Sequence, residues 1–277
     1  MIELQIETST ACSARCHFCP HPDIVGNSKK EVMSMEDFRS LIDQVAEIPQ
    51  ITDIKVVGLN EPMLDPHFVE RIKYACEKLP GRSIYTFTNG FGLTPAKFDS
   101  LKAAGMSCII FSLNAINQEQ HQKIMGMVGK FDNICSNIEY AIANKGDMKI
   151  EVHSVVNKDM FTTEDALAFY QRWGHVALGG HGNCISEANW AGLNRDVKEW
   201  NSKPNEACFR ALSNIYVMCD GTVTPCCYDP TGVLAFGSLK EQTLREIYNS
   251  ERYVQFRWDH FQNEADKYDH CKGCNRI

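Results

Sequence analysis

The chain has 277 residues, 44% of them apolar, with 28 basic against 35 acidic side chains and a formal net charge of -7. That length suits one large α/β domain or one domain with a small appendage, and no apolar run approaches a membrane span. The nearest thing to a basic block is Lys29-Lys30, so a nucleic-acid partner is disfavoured.

Strand-like and helix-like segments alternate from the start, as a parallel sheet with crossover helices requires. Ile2 to Ile6 reads as a strand with apolar residues at alternate positions. A helix opens at Ser34 with Asp37 three residues on and carries Phe38, Leu41, Ile42, Val45 and Ile48 at helical spacing. Ile54 to Val57 reads as the second strand, followed by a helix with Phe68, Ile72, Ala75 and Leu79 on one face. Ile84 to Phe87 is the third, and Thr94-Pro95 starts the helix through Phe98 and Leu101. Cys108 to Leu113 is an apolar run suited to burial on both faces. A helical stretch over Ile134 to Ala143 leads to a fifth strand, Ile150 to Val156, a helix over Ala166 to Trp173 and a short sixth strand near Val176 to Leu178. The expected fold is α/β: a partial (β/α)6 TIM-like barrel, open on one side, with a small C-terminal domain. Residues 1–185 are expected to form the barrel and 186–277 the second unit.

Directly after the first strand stand Cys12, Cys16 and Cys19, spaced C-x3-C-x2-C, just past the strand's C-terminal end, where barrels of parallel strands place their chemistry. Iron-sulfur clusters are ordinarily held by four cysteines, and the next one is Cys76, so this trio implies an iron with a non-protein ligand. A zinc site completed by His17 or His21 is the alternative, although structural zinc usually draws on paired knuckles. Thirteen cysteines form an odd count, and Met1 to Ile6 lacks the start of a signal peptide. A reducing, cytoplasmic setting is therefore expected rather than a disulfide framework.

The spacing, with Phe18 before the last cysteine, resembles the signature of the radical S-adenosylmethionine (SAM) superfamily. The resemblance implies that Cys12, Cys16 and Cys19 hold a 4Fe-4S cluster whose open iron chelates SAM. It also marks Gly58-Leu59-Asn60-Glu61-Pro62 as similar to the family's Gly-Gly-Glu-Pro loop, with Glu61 toward the SAM amino group and Phe18, Gly58 and Asn60 beside the cofactor. Asn60 stands where the second glycine normally does, and Asn tolerates positive φ, which would keep the turn. Thr88-Asn89-Gly90 and Ser112-Leu113-Asn114 look like further family segments and assign Asn89, Ser112 and Asn114 to SAM. No adenine-binding Gly-x-Ile-x-Gly pattern is visible on the fifth strand; His153 and Ser154 occupy that neighbourhood and are the candidates there.

A second set of cysteines lies toward the C-terminus: Cys208, Cys226, Cys271 and Cys274, with Cys219 and Cys227 nearby. Cys271-Lys272-Gly273-Cys274 is a metal knuckle, and Asp220 to Cys226 reads as a hairpin that delivers a cysteine from its second strand. Sites of four cysteines are commonly zinc. The layout, with Phe236-Gly237-Ser238-Leu239 and a helix over Leu244 to Tyr248, resembles the SPASM and twitch auxiliary-cluster domains, and the single-cluster form is similar to that of the family's aminocyclitol dehydrogenase. This implies a second 4Fe-4S cluster. Cys76, Cys108 and Cys135 are expected to pack as small hydrophobes. Cys184, in the Gly-containing stretch 179–194 with His181, Trp190 and, just beyond, Arg195, could meet substrate.

The resemblance implies reductive cleavage of SAM to a 5′-deoxyadenosyl radical and hydrogen abstraction from substrate. The expected reaction is dehydrogenation of a polar small molecule, with the auxiliary cluster as electron acceptor. A radical epimerase or peptide-modifying maturase is the alternative, with Cys184, Cys219 or Cys227 as hydrogen donor. The start of the chain directly at strand one, without a leader-binding domain, leans toward a small molecule. A flavodoxin- or ferredoxin-type reductant is implied as partner. A non-catalytic electron carrier or zinc module is the reading of another class, and the incomplete trio argues against it.

Overall fold

The computed structural model describes residues 1–25, 31–156, 162–176, 184–186, 207–272 and 274, with backbone alone for 156 and 184–186. In chain order the elements are β1 (Ile2–Ile6), α1 (His21–Ile24), α2 (Met35–Ala46), β2 (Ile51–Lys55), α3 (Phe68–Lys78), β3 (Ser83–Thr88), α4 (Pro95–Ala103), β4 (Cys108–Ser112), α5 (Gln118–Met125), α6 (Phe131–Asn144), β5 (Lys149–Val156), α7 (Thr163–Trp173) and β6 (Cys184–Ser186). The C-terminal region adds α8 (Phe209–Ser213), β7 (Asn214–Val217), β8 (Thr222–Thr224), β9 (Gly237–Ser238), α9 (Leu244–Tyr248) and α10 (Glu251–Phe261). Side-chain caps fix several helix starts: Ser34 Oγ accepts from Asp37 N at 2.9 Å, Thr94 Oγ1 from Lys97 N at 3.3 Å, and Thr162 with Asp165 forms a reciprocal capping box.

Among the described residues the strand order is β6-β5-β4-β3-β2-β1-β7-β8-β9. Every pair from β6 to β7 is parallel, and β7, β8 and β9 then run as antiparallel hairpins. The α/β partial barrel of the sequence reading is thus present, and the C-terminal region adds a seventh parallel strand to it. Glu3 to Ile6 of β1 align with Asn214 to Val217 of β7, so the sheet continues without a break into that region.

The expected sixth strand is corrected. Val176 closes a 3-10 turn, Gly174–Val176, that prolongs α7, and the sixth strand is Cys184–Ser186, paired with Ser154 to Val156. Leu178 lies outside the described residues, as do His181, Trp190 and Arg195. Helix α5 was not anticipated, because its sequence QEQHQKIM buries only His121, Ile124 and Met125.

Side-chain alternation sorts the sheet into two faces. Leu4, Ile6, Ile54, Ile84, Ile109, Phe111, Ile150 and Val152 pack into the core with Phe38, Leu41, Ile72, Phe98 and Ile138 of the helices. The opposite, inner face carries Glu3, Gln5, Glu7, Asp53, Lys55, Tyr85, Phe87, Ser112, Glu151, His153, Asn214 and Tyr216, with Cys108 and Ile110 of β4 among them. An inner face this polar is suited to holding a polar ligand rather than a packed barrel core.

Candidate functional site

The loop after β1 carries Cys12, Cys16 and Cys19 as partly buried thiols near enough to raise one another's pKa. Burial pushes Cys12 up to about 12 and Cys19 up to about 11; it drives Cys16 well above the ordinary thiol range, with Cys19 and Cys12 adding to the rise. Three crowded thiols in a desolvated loop are stabilised as thiolates by metal bonding, so the donor set fits an iron-sulfur cluster. The loop is held from two sides. Arg15 N and His17 N donate to the Met125 and Ile124 carbonyls of α5, each at 2.9 Å, and Asn89 Nδ2 donates to Ser13 Oγ at 3.0 Å.

Glu61 lies near the trio in the loop after β2, capping the 3-10 turn Pro62–Leu64, and is buried. Its Oε1 accepts from Thr88 Oγ1 at 2.6 Å and Met63 N at 3.1 Å, and its Oε2 from Asn89 N at 2.7 Å. Burial raises its pKa, and these bonds oppose the rise. Asn60 departs from the expectation: Asn114 and Asn263 are the non-glycine residues with positive φ among those described. Asn60 works through its side chain, Oδ1 accepting from Gly58 N at 2.8 Å and Nδ2 donating to Ser9 Oγ at 3.1 Å. Gly58 is required by close approach: a Cβ there would collide with Glu7 and with the Tyr216 hydroxyl, 2.5 Å away.

The remaining candidates separate by face. Ser112 and His153 sit on the inner face, in register with each other on β4 and β5. His153 Nε2 pairs with Glu151 Oε2 at 2.7 Å and meets Phe87 edge-on, with ring centroids 6.0 Å apart. Ser154 falls on the helix side with Val152, fully buried and with no partner for its Oγ among the described residues. Asn114, at φ 56, uses its own amide internally, Oδ1 accepting from Val155 N at 2.8 Å and Nδ2 reaching Met125 Sδ at 3.6 Å. Phe18 is half-buried against the core.

In the C-terminal region Cys208 caps α8, Cys226 follows β8, and Cys271 and Cys274 stand on the closing turn, where Cys274 N donates to Cys271 O at 3.1 Å. No three of these side chains form a ready group for a single metal ion among the described residues, but Tyr228 touches the segments that carry them. Its N–H donates to Cys226 Sγ at 3.4 Å, its carbonyl is 3.0 Å from His270 Nε2 beside the knuckle, and its ring lies 4.9 Å beneath the guanidinium of Arg210, two residues past Cys208. A hydrogen bond between neighbouring thiols holds Cys226 up and Cys227 down, and Arg210 assists the latter. Cys219 is buried, and the Cys184 side chain lies outside the described residues.

A family model for the radical SAM superfamily matches residues 6–161, more than half the chain. The chain belongs to the radical SAM superfamily. A second model, the SPASM iron-sulfur cluster-binding domain, matches residues 208–275. Among similar curated proteins, the AdoMet-dependent heme synthase of Methanosarcina barkeri is 27% identical over 55% of this chain and 42% of its own length. A probable GTP 3',8-cyclase of Saccharolobus islandicus is 33% identical over 56% and 48%. The chain thus spans about half the length of these two relatives. The S-adenosyl-L-methionine-dependent 2-deoxy-scyllo-inosamine dehydrogenase of Niallia circulans is 21% identical over 99% of this chain and 92% of its own. The solved structure of BtrN in complex with AdoMet and 2-DOIA has a TM-score of 0.73 at 18% identity, covering 100% of this chain and 94% of that one.

The superfamily brings SAM and a 4Fe-4S cluster, and the SPASM domain an auxiliary iron-sulfur site, so the zinc readings give way at both places. Residues that sequence reasoning did not single out are Glu7, Lys55, Glu151, Arg210 and Tyr216. Tyr216 hydrogen-bonds Glu7, whose Oε1 accepts from Leu59 N at 2.8 Å, so the SAM-loop candidate is braced by a strand of the C-terminal region. One signal for this was present: Glu3, Gln5 and Glu7 alternate with apolar residues along β1, marking an inner face that is polar.

Proposed function

We propose that this radical SAM enzyme dehydrogenates a polar small molecule, with its auxiliary site as the electron acceptor. The observation that supports this most is the placement of the Cys226–Tyr228 corner beside the inner face: the Cys227 thiol feels Arg210, Lys55 of β2 and Glu3 of β1. An electron leaving a substrate on that face would have a short path to the auxiliary ligands, for which we take Cys208, Cys226, Cys271 and Cys274. When bound, SAM with the first cluster supplies a hydrogen-abstracting radical and the auxiliary cluster accepts one electron.

The chain's own residues have three tasks. Cys12, Cys16 and Cys19 would bind three irons, while Glu61 and Asn89 fix the loops around them and line SAM. Lys55, whose ammonium lies 4.9 Å from the centre of the Phe87 ring, and Ser112 would bind polar groups of the substrate. The His153–Glu151 pair would take the proton of a substrate alcohol, so that a hydrogen atom, an electron and a proton all have destinations as the alcohol becomes a ketone. The near full-length similarity to a dehydrogenase of 2-deoxy-scyllo-inosamine supports a cyclic polyol or aminocyclitol as the substrate class. A ferredoxin- or flavodoxin-type protein would exchange electrons with the clusters.

A second reading rests on Cys227, a thiol at the edge of the inner face that could return a hydrogen atom to a substrate radical, as an epimerase or peptide-modifying enzyme would need. Turnover in heavy water with 2-deoxy-scyllo-inosamine and related polyols separates the two. Dehydrogenation gives a product lighter by two hydrogens. A product of unchanged oxidation state with solvent deuterium on carbon would overturn the dehydrogenase reading and point to Cys227.

A further inference from the structure

We infer that Arg210 is the fixed positive charge that makes the auxiliary cluster a ready electron acceptor, its guanidinium being held between the Cys226–Cys227 corner and the inner face of the sheet. The inference rests on the assignment of Cys208, Cys226, Cys271 and Cys274 as that cluster's ligands.

The geometry is specific. Arg210 leaves the first turn of α8 two residues after Cys208 and lies over the Tyr228 ring at 4.9 Å, with Nη1 4.0 Å from Cys227 Sγ. Tyr228 in turn donates its N–H to Cys226 Sγ at 3.4 Å. Guanidinium, ring and two sulfurs therefore form one packed group. A guanidinium does not lose its proton in a protein, so this charge is present in every state of the site.

The consequence follows from charge alone. A four-iron cluster with four thiolates is anionic, and it gains one further negative charge on reduction. A cation packed against the segments that carry the ligands, in a partly desolvated setting, favours the reduced form and raises the midpoint potential. In the proposed dehydrogenation the substrate radical gives up one electron and one proton; the cluster gains the electron and later passes it to a one-electron carrier protein. Arg210 is here a positioning residue for charge and touches no reacting atom. Glu3, whose oxygens also accept from Tyr85 and Asn214, partly offsets it from the β1 side.

The test is a redox titration followed by electron paramagnetic resonance, in full-length protein carrying Cys12→Ala, Cys16→Ala and Cys19→Ala so that one cluster reports. Arg210→Gln should lower the reduced-to-oxidised ratio at the unsubstituted midpoint about tenfold, ~59 mV for a one-electron couple. Arg210→Lys should retain most of the potential, and Glu3→Gln should move it upward. An unchanged midpoint in Arg210→Gln at full iron content would overturn the inference. If Arg210→Gln fails to hold iron, Glu3→Gln decides, and an unchanged or lowered midpoint there would overturn it equally. Absence of any auxiliary signal without the Arg210 change would instead remove the ligand assignment, and the inference with it.

Discussion

The carboxylate of Glu61 is engaged by the protein on both oxygens, so in the proposed function it would act on SAM through position as much as contact. In Glu61→Gln an amide nitrogen must face one of three donors, Thr88 Oγ1, Met63 N or Asn89 N. A lost bond to a buried charged group costs about 1.5–3 kcal/mol. We therefore expect SAM affinity to fall at least about tenfold and the melting temperature to drop by about 2–4 °C per kcal/mol lost. Binding and melting curves indistinguishable from those of the unsubstituted protein would remove Glu61 from the site. Glu7 gives a pH signature. Burial foremost raises its folded pKa above 4.5, so the native state keeps this proton to higher pH than the unfolded chain. That contribution to stability is full below about 4.5 and is lost as pH rises through the folded value. Glu7→Gln should flatten melting temperature against pH above that point. Parallel profiles for the two proteins would contradict the assignment.

At the scale of elements, the cysteine loop depends on a helix that sequence periodicity did not reveal. Helix α5 ends at Gly126 in the left-handed region, φ 66, and its last carbonyls hold Arg15 and His17. A Cβ on Gly126 would stand 3.1 Å from Arg15 Cβ and 3.2 Å from Arg15 O. The left-handed conformation costs a non-glycine residue about 1–2 kcal/mol, and the added contact pushes directly on the loop between Cys12 and Cys16. Gly126→Ala should thus lower iron occupancy at the trio while leaving the auxiliary site filled, as read by iron analysis before and after removal of the trio. Equal loss at both sites would indicate general unfolding instead. The hairpin expected over Asp220 to Cys226 was legible because its turn residues are local, and its second strand is β8, paired with β7. The sixth strand was not: three residues in a stretch without clear periodicity carry too little pattern, and Val176 offered a competing apolar signal.

For the molecule as a whole, the barrel could be read from the chain because its strand and helix patterns are local, and the C-x3-C-x2-C and C-x2-C spacings stand out for the same reason. What joins them could not. The pairing of β1 with β7 spans more than two hundred residues, and the Glu7–Tyr216 bond and the Arg210–Cys227 contact depend on it or on what it brings near. No local pattern announces a parallel partner at that distance, although the polar alternation of β1 announced that its inner face had something to hold. The central claim is that one sheet carries two separate cluster sites, an open one on Cys12, Cys16 and Cys19 and a closed one on Cys208, Cys226, Cys271 and Cys274. Iron and sulfide analysis with electron paramagnetic resonance on anaerobic protein tests it most directly. We predict about eight irons per chain, falling to about four when either cysteine set is replaced by Ala, with a SAM-dependent spectral change that survives loss of the second set and not of the first. About four irons in the unsubstituted chain, or stoichiometric zinc, would contradict it.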